Sequence, residues 1–71
     1  MAQNLFEIVR KVRKHAGLTQ RELADLAGVA KNLVYELENG KETIRYSNIL
    51  KVLHVLNIEI RYFLPPGAPD A

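Results

Sequence analysis

Cysteine is absent from the 71 residues, which excludes disulfide frameworks, thiolate metal sites and cysteine nucleophiles and agrees with a reducing compartment. No apolar run reaches the roughly 18 to 20 residues that a membrane span requires. The N-terminus MAQNLFEIVRKVRK lacks the basic-then-apolar order of a signal peptide. The expectation is a cytoplasmic protein that neither enters nor crosses a membrane. At 8.1 kDa the chain holds one small core and has no room for a second catalytic lobe. There is also no Gly-rich phosphate loop, no metal-ligand spacing and no nucleophile elbow. His15 and His54 stand without carboxylates or cysteines at ligand spacing, so each reads as a surface or half-buried side chain rather than a ligand or base. Catalysis, bound metal and cofactor are therefore not expected.

Against these absences, 48% hydrophobic and 25% charged residues make an ordinary globular composition rather than that of a disordered tail. The net charge is only +2, but a pI near 9.2 leaves polyanions open as partners. Its distribution says more. Between Ile8 and Arg21 there are five basic residues, Arg10, Lys11, Arg13, Lys14 and Arg21, one His and no acidic residue. This is the most positive surface the chain can offer, although a charge run on a helix is also the ordinary dress of a solvated face.

Hydrophobic spacing gives four helices and one strand. Leu5, Ile8, Val9, Val12 and Ala16 form one stripe, which predicts a helix over about 4 to 16, capped by Asn4 with Glu7 three residues on and ended by Gly17. Thr19 and Glu22 make a capping box for a short helix over 20 to 27, with Leu23, Ala24, Leu26 and Ala27 on its apolar face and Gly28 at its end. Leu33, Val34 and Leu37 predict a third helix over 30 to 39. Asn39-Gly40 is also a hairpin signal, but the flanking period is helical, so Gly40 is read as a C-cap. Tyr46, Ile49, Leu50, Val52, Leu53 and Leu56 predict a fourth helix over 45 to 56.

From Leu56 the period becomes two. Ile58, Ile60, Tyr62 and Leu64 alternate with Glu59, Arg61 and Phe63 as a half-buried strand does, until Pro65-Pro66 stops it. A lone strand leaves its N–H and C=O groups without a ladder, and the chain contains no second strand to pair with it. The simplest partner is a second copy across a two-fold axis. The expected organisation is a helical unit over 1–57, a dimerisation strand over 58–64 and a mobile tail over 65–71.

The two short helices joined through Gly28-Val29 fit a helix-turn-helix, whose helices cross at about 90 to 120°. Ala24 is small where the helices approach, and Gly28 permits the left-handed turn. Leu23, Ala27, Val29, Val34 and Leu37 fill the wedge. A generic helical hairpin would match several of these positions; all seven together point to the DNA-binding version. LTQRELADLAGVAKNLVYELENGK resembles the lambda-repressor-like helix-turn-helix of the phage repressor and Cro superfamily over about residues 8 to 58, and ENGKETIRYSNILKVLHVLNIEIRYF is most similar to HipB-type antitoxins. The resemblance implies an all-α, four-helix lambda-repressor-like DNA-binding domain with a C-terminal strand that pairs across a dimer. Many relatives carry a fifth helix where this chain alternates, so the repressor resemblance stops near Ile58.

The family's docking mode puts the third helix in the major groove, N-terminus first, with the second across the backbone. It makes Lys31 and Asn32 the leading base readers, Lys for guanine O6/N7 and Asn for adenine N6/N7, with Tyr35 one turn on. Leu33 is open between a thymine methyl and the core. Glu36 is open between cytosine N4 and solvent. Gln20, at the start of the second helix, matches positions that meet a phosphate, or is simply a first-turn residue. Asn39 and Lys41 match positions on the flanking backbone, with a solvated loop charge as the other reading of Lys41. Ala30 departs from the family's common Ser, so the third helix is expected to lack a side-chain cap. Similar proteins pair an Arg of the first helix with the Glu before Asn-Gly, which implies an Arg13–Glu38 ion pair. The function implied is a homodimeric repressor on a palindromic operator, the antitoxin of a HipA-type toxin–antitoxin operon with a toxin kinase as partner. The alternatives are a protein-interaction module that neutralises a toxin or kinase, with DNA binding secondary, and a phage-type repressor.

Overall fold

The computed structural model describes residues 4–69. It contains four helices, α1 Leu5–His15, α2 Gln20–Ala27, α3 Leu33–Glu38 and α4 Tyr46–Val55, and no strand among the described residues. The four helices are those that the spacing predicts, and the fold is all-α, as the resemblance implies; the strand expected over 58–64 is not formed. Residues 1–3, at the start of the expected helical unit, and 70–71, at the end of the expected tail, lie outside the described residues.

Both expected N-terminal caps form. The Asn4 side chain accepts from Glu7 N–H at 3.0 Å. Thr19 Oγ1 accepts from Glu22 N–H at 3.0 Å, while Thr19 N–H donates to Glu22 Oε1 at 2.9 Å. That bond, with help from the Thr19 hydroxyl, holds the Glu22 carboxyl below its ordinary pKa against a small opposing effect of burial.

Every helix ends on the same pair of bonds, in which two successive N–H groups reach back to carbonyls left free by the last turn. After α3, Gly40 N–H donates to Leu37 C=O at 3.1 Å and Lys41 N–H to Glu36 C=O at 3.0 Å. The left-handed turn residue is Gly28 at φ 69° after α2 and Gly40 at φ 82° after α3, with Asn57 at φ 57° after α4. No side chain crowds Gly28, and Gly40 would meet only the Phe6 ring at an ordinary 3.6 Å. Backbone conformation, not lack of space, is what these positions require.

The core is Val9, Leu23, Ala24, Val34, Leu37, Val52, Leu53 and Leu56, with Phe6, Val12, Leu18, Ala27, Val29, Leu33 and Ile58 among the half-buried residues around it. Helix α2 packs on α3 and α4, and α1 on α3. Ala24 is fully buried, as expected of the small residue where two helices come closest.

The structure corrects several expectations. Helix α3 begins at Leu33 rather than residue 30, because Ala30 offers no side-chain oxygen to cap it; Ala30 to Leu33 instead form a turn closed by Leu33 N–H on Ala30 C=O at 2.9 Å. Leu26 is not on the apolar face of α2: it is 63% exposed, since Leu23, Ala24 and Ala27 already fill the side facing α3 and α4. Ala16 is exposed beyond the end of α1. On α4, Tyr46 and Leu50 share the helical period but face out.

Leu56 does not start a strand; it is buried at the end of α4. The alternating stretch that follows makes no ladder among the described residues. Ile58 N–H bonds to Leu53 C=O at 2.9 Å, ending α4, and the next backbone bond is a turn, Ala68 N–H to Pro65 C=O at 3.1 Å.

Candidate DNA-binding surface

Helix α3 is held from behind. Arg13 of α1 is buried, and its guanidinium donates through Nε to Glu38 Oε2 at 2.6 Å, through Nη2 to Glu38 Oε1 at 2.9 Å and through Nη1 to Leu18 C=O at 2.9 Å. This is the expected Arg13–Glu38 ion pair in its two-pronged form, which fixes orientation as well as distance. One side chain thus ties α1, the turn into α2 and the last turn of α3 together.

Burial pushes the Glu38 carboxyl up, but the hydrogen bonds from Arg13 and Gln20 and the charges of Arg13 and Arg10 outweigh it and leave Glu38 below its ordinary 4.5. The bond to Glu38 raises the Arg13 pKa, against burial and with the attraction of the same carboxylate. No buried side-chain nitrogen or oxygen among the described residues lacks a partner.

Gln20 belongs to the same network: its Nε2 donates to Glu38 Oε1 at 3.2 Å. The expectation for Gln20 is a phosphate contact or a bare first turn; this bond, which spans 18 positions between two helices, has no signal within one element. Glu38 fixes which end of the amide faces inward and leaves the second N–H of Nε2 free.

The outward side of α3 carries most of the remaining candidates. Lys31 and Asn32 are exposed in the turn that leads into the helix, Asn32 at the N-cap position without a side-chain cap bond. Tyr35 is 58% exposed. Asn39 is exposed, with Nδ2 donating to Tyr35 C=O at 2.8 Å. Positions 32, 35 and 39 recur at helical spacing, so they share one face. Leu33 is half-buried against the core cluster, which favours its packing role. Glu36 and Lys41 are joined by an ion pair that is not among the expectations from sequence. The five-residue spacing matches no within-helix rule, but the αL ending at Gly40 folds Lys41 back over Glu36.

A second exposed feature lies on α4. Tyr46, Leu50, Leu53, His54, Ile58, Ile60 and Tyr62 line a groove between α4 and the stretch after it. The Tyr46 and Tyr62 hydroxyls are hydrogen-bonded across it, which raises the Tyr46 pKa. Phe63 is 91% and Leu64 61% exposed beside it. Among the described residues no group of three or more His, Cys, Asp or Glu side chains gathers as a metal site would need, and no helix is long and apolar enough to cross a membrane.

A helix-turn-helix family model matches residues 9–63, which takes in α2, the Gly28 turn, α3 and α4. This chain belongs to the helix-turn-helix family. Among its relatives, an uncharacterized HTH-type transcriptional regulator, y4mF of Sinorhizobium fredii, is 41% identical over 58 residues, 82% of this chain and 76% of that protein. Two solved structures, one described as MDT protein and the other as a HipA-HipB-O2-O3 complex, each contain a chain with this helix-turn-helix fold at a TM-score of 0.77 and 23% identity, covering 89% of this chain and 93% of theirs. The resemblance of LTQRELADLAGVAKNLVYELENGK to lambda-repressor-like proteins and the HipB-like fold are thereby borne out.

Proposed function

We propose that this helix-turn-helix regulator is a sequence-specific DNA-binding repressor that acts as a homodimer on a palindromic operator, and that it is the antitoxin of a HipA-type toxin–antitoxin operon that represses its own promoter. The observation that carries the DNA reading is the contrast between the two sides of α3. Its inner side is locked by Val34, Leu37 and the Arg13–Glu38–Gln20 network, while Lys31, Asn32 and Tyr35 are left outside. A helix held that way presents base-reading side chains without a further loss of backbone entropy on docking. Gln20 at the α2 N-terminus and Asn39 and Lys41 at the exit of α3 flank that face, where contacts to the sugar–phosphate backbone fix register rather than sequence.

The dimer reading rests on the exposed apolar side chains of α4 and the stretch after it. Ile60, Tyr62 and Leu64 share one phase of the alternation and are exposed, as are Tyr46 and Leu50 of α4. A second copy pairing through 58–64 gives these backbone groups a ladder and covers the groove. Two α3 helices related by a two-fold axis then read half-sites about one helical turn, roughly 34 Å, apart.

The antitoxin reading is supported by likeness to a chain from a HipA-HipB complex. A toxin or kinase as the principal partner, with DNA secondary, is the second reading. It is favoured by Phe63, which points out of phase with the proposed dimer face and is almost wholly exposed.

A salt titration of binding to the promoter duplex separates the two. Phosphate contacts give a steep negative slope of log affinity against log salt; a flat response favours the protein module. Footprinting adds the symmetry: two related half-sites are expected, and a single unsymmetric site would exclude the dimer geometry.

A further inference from the structure

The ion pair between Glu36 and Lys41 joins residues for which the sequence suggests separate tasks, one a base contact and the other a phosphate contact. Its geometry is built into the end of α3. Gly40 takes a left-handed conformation, Lys41 N–H bonds to Glu36 C=O, and the two residues are brought side by side at the third-last helical position and the second residue beyond the cap. That adjacency is normally occupied by an apolar contact; here it holds Lys41 Nζ against Glu36 Oε2. The side chains are 49% and 38% exposed, so water screens the pair and it adds little to stability. It lies on the edge of the face that carries Asn32, Tyr35 and Asn39, where any DNA phosphate competing for the lysine would approach.

On DNA the pair faces a choice. If the Lys41 ammonium moves to a phosphate, the Glu36 carboxylate is left unpaired beside a polyanion, and the repulsion offsets what the lysine gains. Guanine and thymine edges present only acceptors in the major groove and worsen this, and adenine sets its N6 donor beside the N7 acceptor, which repels a carboxylate; cytosine offers the N4 amino donor with no acceptor of its own beside it. We infer that Glu36 is a specificity-determining residue that withholds Lys41 from phosphates on arbitrary sequence, and that the pair opens only where cytosine N4 takes the ammonium's place on the carboxylate. The inference rests on the reading of α3 as the groove helix.

The test uses the full chain as wild type, Glu36→Gln, Lys41→Gln and the double variant. Anisotropy with a short random-sequence duplex pool as probe gives affinity at several salt concentrations, and selection from the same pool gives base preference. Circular dichroism checks that each variant keeps its helix content. Glu36→Gln is expected to bind the random pool more tightly, by up to about fivefold, the worth of an exposed ion pair. Its salt slope steepens by nearly one as the freed lysine takes a phosphate. In the Lys41→Gln background the same change has almost no effect. Selected wild-type sites carry a cytosine in each half-site that Glu36→Gln no longer selects. Unchanged random-pool affinity of Glu36→Gln overturns the inference. So does equal tightening with and without Lys41, which is simple charge repulsion, or a cytosine preference that survives the substitution. If neither the wild type nor any variant binds duplex at low salt, the groove reading of α3 itself is wrong and the inference goes with it; unaltered binding leaves that reading intact.

Discussion

Two regions of this small molecule finish their surfaces differently. Around α1, α2 and α3 each buried polar group has a partner inside the chain: Arg13 finds Glu38 and Leu18 C=O, and Glu38 also takes Gln20. Around α4 and the stretch after it, apolar side chains are left outside, Tyr46, Leu50, Ile60, Tyr62, Phe63 and Leu64 among them. The first region satisfies itself. The second carries an apolar pattern that one copy of the chain does not bury, and scattered exposed apolar residues are ordinary whereas a contiguous set marks a surface that meets something. In a chain of this size the same hydrophobic period thus serves two purposes, and only packing tells them apart.

The comparison breaks most sharply at Arg13. Arg13→Ala leaves the Glu38 carboxylate buried with only Gln20 and should cost about 3 to 5 kcal/mol of unfolding free energy in a denaturant titration, a large share of what so small a domain has. A loss near zero would mean that the α1–α3 region does not depend on its polar network. In the other region, Ile60→Pro removes a ladder donor from the proposed dimer strand. Sedimentation should then show monomers whose helices α1 to α3 remain folded, and a stable dimer would rule out pairing through 58–64.

Smaller effects are expected on the proposed reading face of α3. Lys31→Ala and Asn32→Ala should each weaken binding to the selected operator by about 1 to 3 kcal/mol, and binding to random duplex much less, with helix content unchanged. Equal losses on both DNAs would remove these residues from base readout.

Acid titration probes the closed region more gently. Glu38 and Glu22 sit below their ordinary value of 4.5 in the folded chain, so the unfolded chain binds more protons in the window beneath it. Their contribution to stability is complete above about 4.5 and is lost as pH falls through the folded values. Thermal melts should fall along that limb, and Glu38→Gln should flatten it; a melting temperature that held steady through the limb would contradict the depressed carboxyls. The smallest effect is expected at Leu26, whose exposure makes Leu26→Gln worth within about 0.5 kcal/mol, against about 2 to 5 kcal/mol for Leu23→Ala in the core.

Local signals made much of this legible. Asn4, Thr19 with Glu22, Gly17, Gly28 and Gly40 mark helix ends through bonds within a few residues, and a single sequence displays such bonds. The Arg13–Glu38 pair is not local; it was legible only through resemblance to similar proteins. The late start of α3 was hidden because Ala30 tolerates a helix well, and only its missing hydroxyl hints that the helix waits until Leu33. The exposure of Leu26, Tyr46 and Leu50 is hidden for another reason: a helical period reports that a residue is apolar, but not whether its partner lies in the same chain. Gln20 with Glu38, and Glu36 with Lys41, arise from the crossing of two helices and from the fold-back at Gly40, and neither is a spacing within one element.

The anchoring of α3 from its buried flank and its C-terminal end has an evolutionary consequence. Val34, Leu37 and Glu38 carry the attachment, while the side chains of Lys31, Asn32 and Tyr35 are exposed and form none of the described hydrogen bonds. The positions that would spell a recognised sequence can therefore drift almost without penalty to folding. A duplicated copy of such a chain could acquire a new address by a few exposed substitutions, with no intermediate that fails to fold, and paralogues would diverge first at these residues and last at Arg13, Glu38 and Gly28.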